Sequence, residues 1–182
     1  MIQKHKFNDL VIRAVKPRWA HAPTSGDGAA ERGGRFNPIG TPALYTSLKF
    51  ETVGKEVRFE MNQEAYTFYH LAVQCDDIAD LTSISERAAL EVSFDDLKNE
   101  NWESEMHKSI VPSTHAIFSK LHHTLGYAGI LVNSFAPNAS AEDINLVLWK
   151  WNTVQSLPNP EPHAVAVLDK TGLPNDNRSW HS

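Results

Sequence analysis

An arginine, a tyrosine and a glutamate stand close together around one glycine-rich stretch. It reads Gly33-Gly34-Arg35-Phe36-Asn37-Pro38-Ile39-Gly40-Thr41-Pro42-Ala43-Leu44-Tyr45-Thr46-Ser47, and Glu56 follows eleven residues after Tyr45. Glycines let a backbone approach a ligand closely. Arginine offers a rigid fork of donors to phosphate oxygens. Tyrosine offers a flat face for a ring and a hydroxyl for orientation. A single carboxylate stabilises positive charge that develops during a reaction. Each part alone is common in proteins; their combination is what points to chemistry.

The elements around the block must hold these groups together. Residues 17–42 contain Gly26, Gly28, Gly33, Gly34 and Gly40 with Pro17, Pro23, Pro38 and Pro42, so they read as a long loop. Loops of this length in compact domains are usually functional or disordered, and Trp19 and Phe36 argue for order. Residues 43–47 read as a strand. Phe50, Val53, Val57 and Met61 recur at helical spacing, which predicts a helix over 50–61 with Ser47 as its N-cap. At about 100° per residue, Glu56 and Glu60 fall on one flank of that helix's apolar stripe. Glu60 reads as a partner for Glu56. Upstream, 10–15 reads as a strand that carries Arg13.

The rest of the chain supplies strands at 66–73, 128–132, 144–151 and 163–168. Short helices are expected near 85–91 and 93–99. Another helix is expected from a Ser113 or Thr114 cap to Gly126. Helices and strands do not alternate strictly, so the fold class reads as α+β. One domain is expected across 1–182, with its core over about 10–168 and a polar tail over 169–182.

Composition excludes several classes. Apolar content of 41% and charged content of 21% are those of an ordinary globular chain. The formal net charge of -5 argues against a nucleic-acid-binding surface. No apolar run approaches the ~20 residues of a membrane span. No leader is expected behind Met1, so the expected location is the cytoplasm. Cys75 is the one cysteine, read as a buried apolar residue after a strand. His122 and His123 are adjacent and face different directions on a helix, so no metal site is expected. Trp149 and Trp151 read as core residues on one strand face. The spacing of Gly26, Gly28 and Gly33 does not match a dinucleotide-binding fingerprint.

The block resembles the opening of RES domains, a family named for an arginine, a glutamate and a serine. The resemblance covers Pro17-Arg18-Trp19-Ala20-His21, the stretch from Gly33 to Tyr45, and Glu51-Thr52-Val53 through Glu56. Arg13 matches an arginine on the family's first strand. Ser134, after Gly129-Ile130-Leu131-Val132-Asn133, resembles its serine beyond a buried strand. The resemblance implies a split-sheet fold like that of ADP-ribosyltransferases, with a cleft for NAD⁺ as substrate and no separate cofactor. It implies an NAD⁺-consuming toxin paired with an antitoxin that carries an Xre-type DNA-binding domain, in a hetero-oligomeric complex. In that frame Glu56 supports an oxocarbenium-like ribose, and Arg35 and Arg13 bind the diphosphate. Tyr45 packs on nicotinamide or ribose, and Ser134 hydrogen-bonds a ribose or the carboxamide. Arg18, Arg32 and His21 are further candidates on the loop. Hydrolysis or phosphorolysis is the leading expectation. ADP-ribosyl transfer to a protein or nucleic acid, and a catalytically silent partner-binding module, are the alternatives.

Overall fold

The computed structural model describes residues 3–58 and 65–168. Its frame is set by two long strands, β1 (His5–Val15) and β3 (Thr67–Asp80), which pair antiparallel along nearly their whole length. The remaining strands are β2 (Leu44–Ser47), β4 (Gly129–Asn133), β5 (Ile144–Leu148), β6 (Asn152–Thr153) and β7 (Ala164–Val167). The sheet order is β1-β2-β5-β4-β3-β7-β6. Because β1 also pairs with β3, the path β1-β2-β5-β4-β3 returns to its start.

Two apolar clusters fill the two faces of this path. One gathers Val11, Leu44, Leu71, Val73, Ile78, Leu146, Leu148 and Val165. The other joins Ile130, Val132 and Val147 to Leu90, Leu97, Ile117, Phe118 and Leu121 from the helical side. β5 shows the reason: its side chains alternate faces, so Leu146 and Leu148 enter the first cluster while Val147 enters the second. Full burial of each such aliphatic side chain contributes about 1.5–3 kcal/mol. The helices are α1 (Asp27–Arg32), α2 (Phe50–Glu56), α3 (Ile84–Ala89), α4 (Phe94–Lys98), α5 (Trp102–His107) and α6 (Ser113–Phe118). Four of them follow one another between β3 and β4, so the fold is α+β.

The sheet is incomplete at the place that matters for function. β1 meets β2 through the single register pair Ile12↔Ser47. Continued antiparallel pairing would set Ala14 opposite Tyr45. Instead Ala14, Val15 and Tyr45 line a common cavity, so the two strand edges part there.

Several boundaries differ from the sequence expectation. β1 starts five residues earlier than 10, because the exposed Asn8 and Asp9 are held by backbone pairing with β3, which resumes at His5 beyond a register shift at Lys6. β3 continues to Asp80 since β1 lies on one edge while β7 and then β4 lie on the other. Cys75 is therefore within a strand. α2 ends at Glu56, where Arg58 takes a left-handed φ of 51°, rather than running to 61. Ser47 does not cap α2; it belongs to β2, and the N-cap position is Lys49 with no side-chain cap bond. Neither Ser113 nor Thr114 caps α6, whose N-cap position is Pro112; the helix continues through π-type turns to Thr124, before Gly126 at φ 72°. The loop over 17–42 contains the short helix α1. Met61, Glu60 and the tail from 169 lie outside the described residues.

Candidate functional site

A cavity of about 760 Å3 occupies the gap between the parted strands. That lies within the roughly 300–1,000 Å3 of small-molecule sites. Arg13, Arg35, Tyr45 and Glu56 all line it. Arg32 lines it as well, from the last turn of α1. Ser134 is buried immediately behind Glu56. Arg18 is exposed, lies over the Trp19 ring and is not part of the lining. His21 stacks on Trp19 with its Nδ1 buried, also outside the lining.

Glu56 is the last residue of α2. A helix C-terminus is a poor place for a carboxylate, since the backbone already presents partial negative charge there. Two donors offset this by converging on one oxygen. Ser134 Oγ donates to Glu56 Oε1 at 2.6 Å, and Asn145 Nδ2 donates to the same atom at 2.5 Å. Among the described residues, Oε2 has no hydrogen-bond partner. Ser134 is itself fixed: its backbone N–H donates to the Asp143 carbonyl at 2.7 Å, and its Oγ accepts from the Ala136 N–H at 3.2 Å. The glutamate and serine expected from the sequence thus meet, although 78 residues separate them. Asn145 was not singled out by its spacing. The only local signal is a polar side chain in an otherwise apolar strand, on the face that Val147 shares.

The glycine-rich loop is held by Asn37, which is fully buried. Its Nδ2 donates to the carbonyls of Thr41 (2.8 Å), Ala29 (3.0 Å) and Pro38 (3.2 Å), and its Oδ1 accepts the Tyr45 hydroxyl at 2.7 Å. The same hydroxyl accepts the Phe36 N–H at 2.9 Å. Burial pushes the Tyr45 hydroxyl well above its ordinary pKa. The hydroxyl therefore fastens the loop, and the ring is what Tyr45 offers the cavity. Gly34 is required by this contact, because a Cβ there would lie 2.6 Å from both Tyr45 Oη and Asn37 Oδ1. Trp149 and Trp151, rather than sharing a strand face, lie beyond the end of β5. Their indole N–H groups donate to Phe36 O at 2.9 Å and Thr24 O at 3.0 Å, bracing the loop at two points.

Arg35 is anchored from the far side. Its Nη1 donates to the carbonyls of Lys98 at 2.7 Å and Asn99 at 3.0 Å at the end of α4, with Leu97 O at 3.5 Å. The guanidinium also lies over the rings of Phe135 (5.1 Å) and Trp102 (5.8 Å). Burial lowers its pKa, and the nearby charge of Glu56 opposes that shift. Arg13 donates through Nη1 to Pro23 O at 2.7 Å, and burial lowers its pKa to about 10. Both arginines remain charged at neutral pH.

A second carboxylate, unforeseen from the sequence, clamps α2 to the segment before β5. Asp143 is buried; Oδ1 accepts from Thr52 Oγ1 at 2.7 Å, and Oδ2 accepts from Lys55 Nζ at 2.8 Å and from the Ser140 N–H at 2.7 Å. Lys55, Ser140 and Thr52 together hold its pKa well below the ordinary aspartate range. A depressed pKa stabilises the fold above the unfolded value of about 3.9, and the contribution fades as pH falls below it. We expect Asp143→Asn to lower stability by about 3 kcal/mol at pH 7. In the variant, acid unfolding below pH ~4 should lose much of its steepness. Urea melts across that pH range check both.

Cys75 is fully buried, and burial with Asp76 and Asp77 pushes its thiol up to about 12, so it is not a nucleophile. Its Sγ lies 3.3 Å from His163 Nδ1. His122 pairs with Tyr127 O and stacks on Phe118, as His123 meets the same ring edge-on. Among the described residues no cluster of His, Cys, Asp and Glu is arranged to hold a metal ion.

No curated protein sequence matches the chain. Among solved structures, it is similar to a chain in the crystal structure of the M. tuberculosis MbcT–MbcA toxin–antitoxin complex. The TM-score is 0.59 at 23% identity, covering 80% of this chain and 75% of that one, so the likeness is one of fold. The RES domain model matches residues 10–169, spanning the arginine loop, Glu56 and Ser134, and the chain belongs to the RES domain family.

Proposed function

We propose that this protein cleaves NAD⁺ at the nicotinamide–ribose bond. The observation that carries this reading is Glu56: its Oε1 is held by Ser134 and Asn145, and its Oε2 is left for a ligand in an arginine-lined cavity. A glycosidase acting on an ordinary sugar ether needs a pair of carboxylates, one of them a proton donor. Nicotinamide is different because it leaves from a cationic ring. The C1′–N bond breaks with its electron pair moving to the ring, and nicotinamide departs neutral without a proton. Positive charge then accumulates on the ribose. One ionised carboxylate beside it is sufficient electrostatic support. Water attacks C1′ and loses its proton to solvent, giving ADP-ribose; phosphate in place of water gives the phosphorylated sugar.

Arg13, Lys16, Arg32, Arg35 and Arg58 line the cavity against Glu56, Glu100 and Glu103. This local cationic excess in a chain of net charge -5 suits a diphosphate. The Tyr45 ring suits nicotinamide or ribose. Arg18 and Ser134 contribute less directly, the first being off the cavity and the second acting behind Glu56. The fold shared with a chain of a toxin–antitoxin complex supports a role as the toxin of such a pair. Its partner would be an antitoxin with an Xre-type DNA-binding domain, and its substrate the cytoplasmic NAD⁺ pool. Among the described residues no helix is long and apolar enough to cross a membrane.

Purified protein incubated with NAD⁺ labelled in the adenosine half should release nicotinamide and free labelled ADP-ribose, or its phosphorylated form in phosphate buffer. Label retained on a macromolecule would instead assign ADP-ribosyl transfer. Absence of both nicotinamide release and calorimetric NAD⁺ binding would make the chain a catalytically silent partner-binding module.

A further inference from the structure

We propose that Asn145 is a positioning residue for Glu56, selecting which carboxylate oxygen the substrate meets. The proposal rests on the reading of Glu56 given above. Its basis is a relay across three elements. Ser47 and Asn145 are register partners on β2 and β5, and Asn145 also sits opposite Val132 on β4. Ser47 Oγ donates to Asn145 Oδ1 at 2.6 Å, and Asn145 Nδ2 donates to Glu56 Oε1. The amide orientation is thereby determined. Turned over, it would set its carbonyl oxygen against Glu56 Oε1, placing two acceptors in contact with no proton between them. Asn145 lines the cavity, whereas Ser134 reaches Glu56 from behind.

Two donors on one oxygen do what one cannot. A single bond leaves the carboxylate free to rotate about its Cγ–Cδ bond. Donors arriving from β5 and from the turn after β4 fix the plane as well as the position. Glu56 closes a short helix whose next residues leave helical geometry, so the backbone alone holds it loosely. Misplacement of a reacting group by about 1 Å costs on the order of 10²-fold in rate.

Three variants test this. Asn145→Ala should lower kcat for nicotinamide release about 10- to 100-fold with KM changed less than about twofold. Ser47→Ala keeps the amide but frees it to turn, and should give a smaller loss in kcat alone. Asn145→Asp is nearly isosteric and keeps the Ser47 contact, yet opposes Glu56 with a like charge, so it should be the most damaging of the three. A merely structural Asn145 predicts instead a lowered Tm with kcat intact, and that pattern would overturn the proposal. So would an Asn145→Asp variant as active as the parent.

A second readout needs no turnover. Carbon-13 labelling of glutamate carboxyls, with Glu56 assigned by the signal lost in Glu56→Gln, follows its titration in the unliganded protein. The charged groups around it in the cavity are Arg13, Lys16, Arg32, Arg35, Arg58, Glu100 and Glu103, and none of them is altered. Asn145→Asp should move that titration to higher pH, as two carboxylates sharing a site do. If the parent protein does not cleave NAD⁺ but the titration moves, the activity reading fails and the positioning relay stands. An unmoved titration overturns the relay.

Discussion

Glu56→Gln should reduce nicotinamide release by about 10³-fold while leaving NAD⁺ binding within a few-fold of the parent protein. The amide fills the same space and accepts the same bond from Ser134. What it lacks is the negative charge opposite the ribose when the C1′–N bond is nearly broken. That charge acts only in the transition state, so the loss should appear in kcat and not in the binding constant. Single-turnover assays together with calorimetric titration separate the two. Glu56→Gln retaining full activity would remove Glu56 from the chemistry and with it the proposed reaction. Ser134 and Asn145 both donate to one oxygen, so the variant carbonyl takes that place and its NH₂ takes the place of Oε2. The deficit of Glu56→Gln is therefore one of charge, and Glu56→Asp, which keeps the charge one methylene short of its donors, measures the cost of misplacing it.

The other large effect belongs to a residue that touches no substrate. Asn37→Ala should lower stability by about 3–5 kcal/mol. For a chain of this size that is a fall in Tm of roughly 10 °C. Asn37 is fully buried; its NH₂ shares two protons among three backbone carbonyls of the loop, and its Oδ1 accepts the Tyr45 hydroxyl. Removing it takes the donor from Thr41 O and the acceptor from the Tyr45 O–H in the interior, while Ala29 O and Pro38 O keep the N–H groups of Gly33 and Thr41, and buried unpaired groups cost far more than a typical bond contributes. Tyr45→Phe removes the hydroxyl but keeps the amide, and should cost less, about 1–2 kcal/mol. The loop also carries Arg35, so Asn37→Ala assayed well below its Tm should show a raised KM for NAD⁺. Scanning calorimetry and steady-state kinetics are the measurements. A Tm unchanged by Asn37→Ala would mean that the loop is held by the Trp149 and Trp151 braces alone.

The arginine, tyrosine and glutamate were legible because they lie within 22 residues of one another, on consecutive local elements. A turn-rich loop, a strand and an amphipathic helix each have a short-range pattern, and their order limits where their side chains can go. The α+β class and the position of most elements were legible for the same reason. Elements whose reasons are long-range were not. The polar start of β1 forms a strand only because β3 lies beside it. α2 stops at Glu56 although its apolar spacing runs on.

The roles of the individual atoms were decided by tertiary structure. Arg35 was expected to meet phosphate, yet one of its terminal nitrogens is committed to carbonyls 62 to 64 residues away at the end of α4. Tyr45 offers a ring face and a hydroxyl by its type, and the hydroxyl is occupied by Asn37 and Phe36, which leaves the ring. Asn145 and Asp143 carry no local signature, because a polar residue in or before a strand is ordinarily solvated. What the amino-acid order determined by itself was the set of groups that one stretch of chain delivers to the cleft. Which oxygen of Glu56 remains free, and which donors hold the other, depended on bringing β2, β4 and β5 into register, since hydrogen bonds between distant residues exist only once the sheet has closed around them.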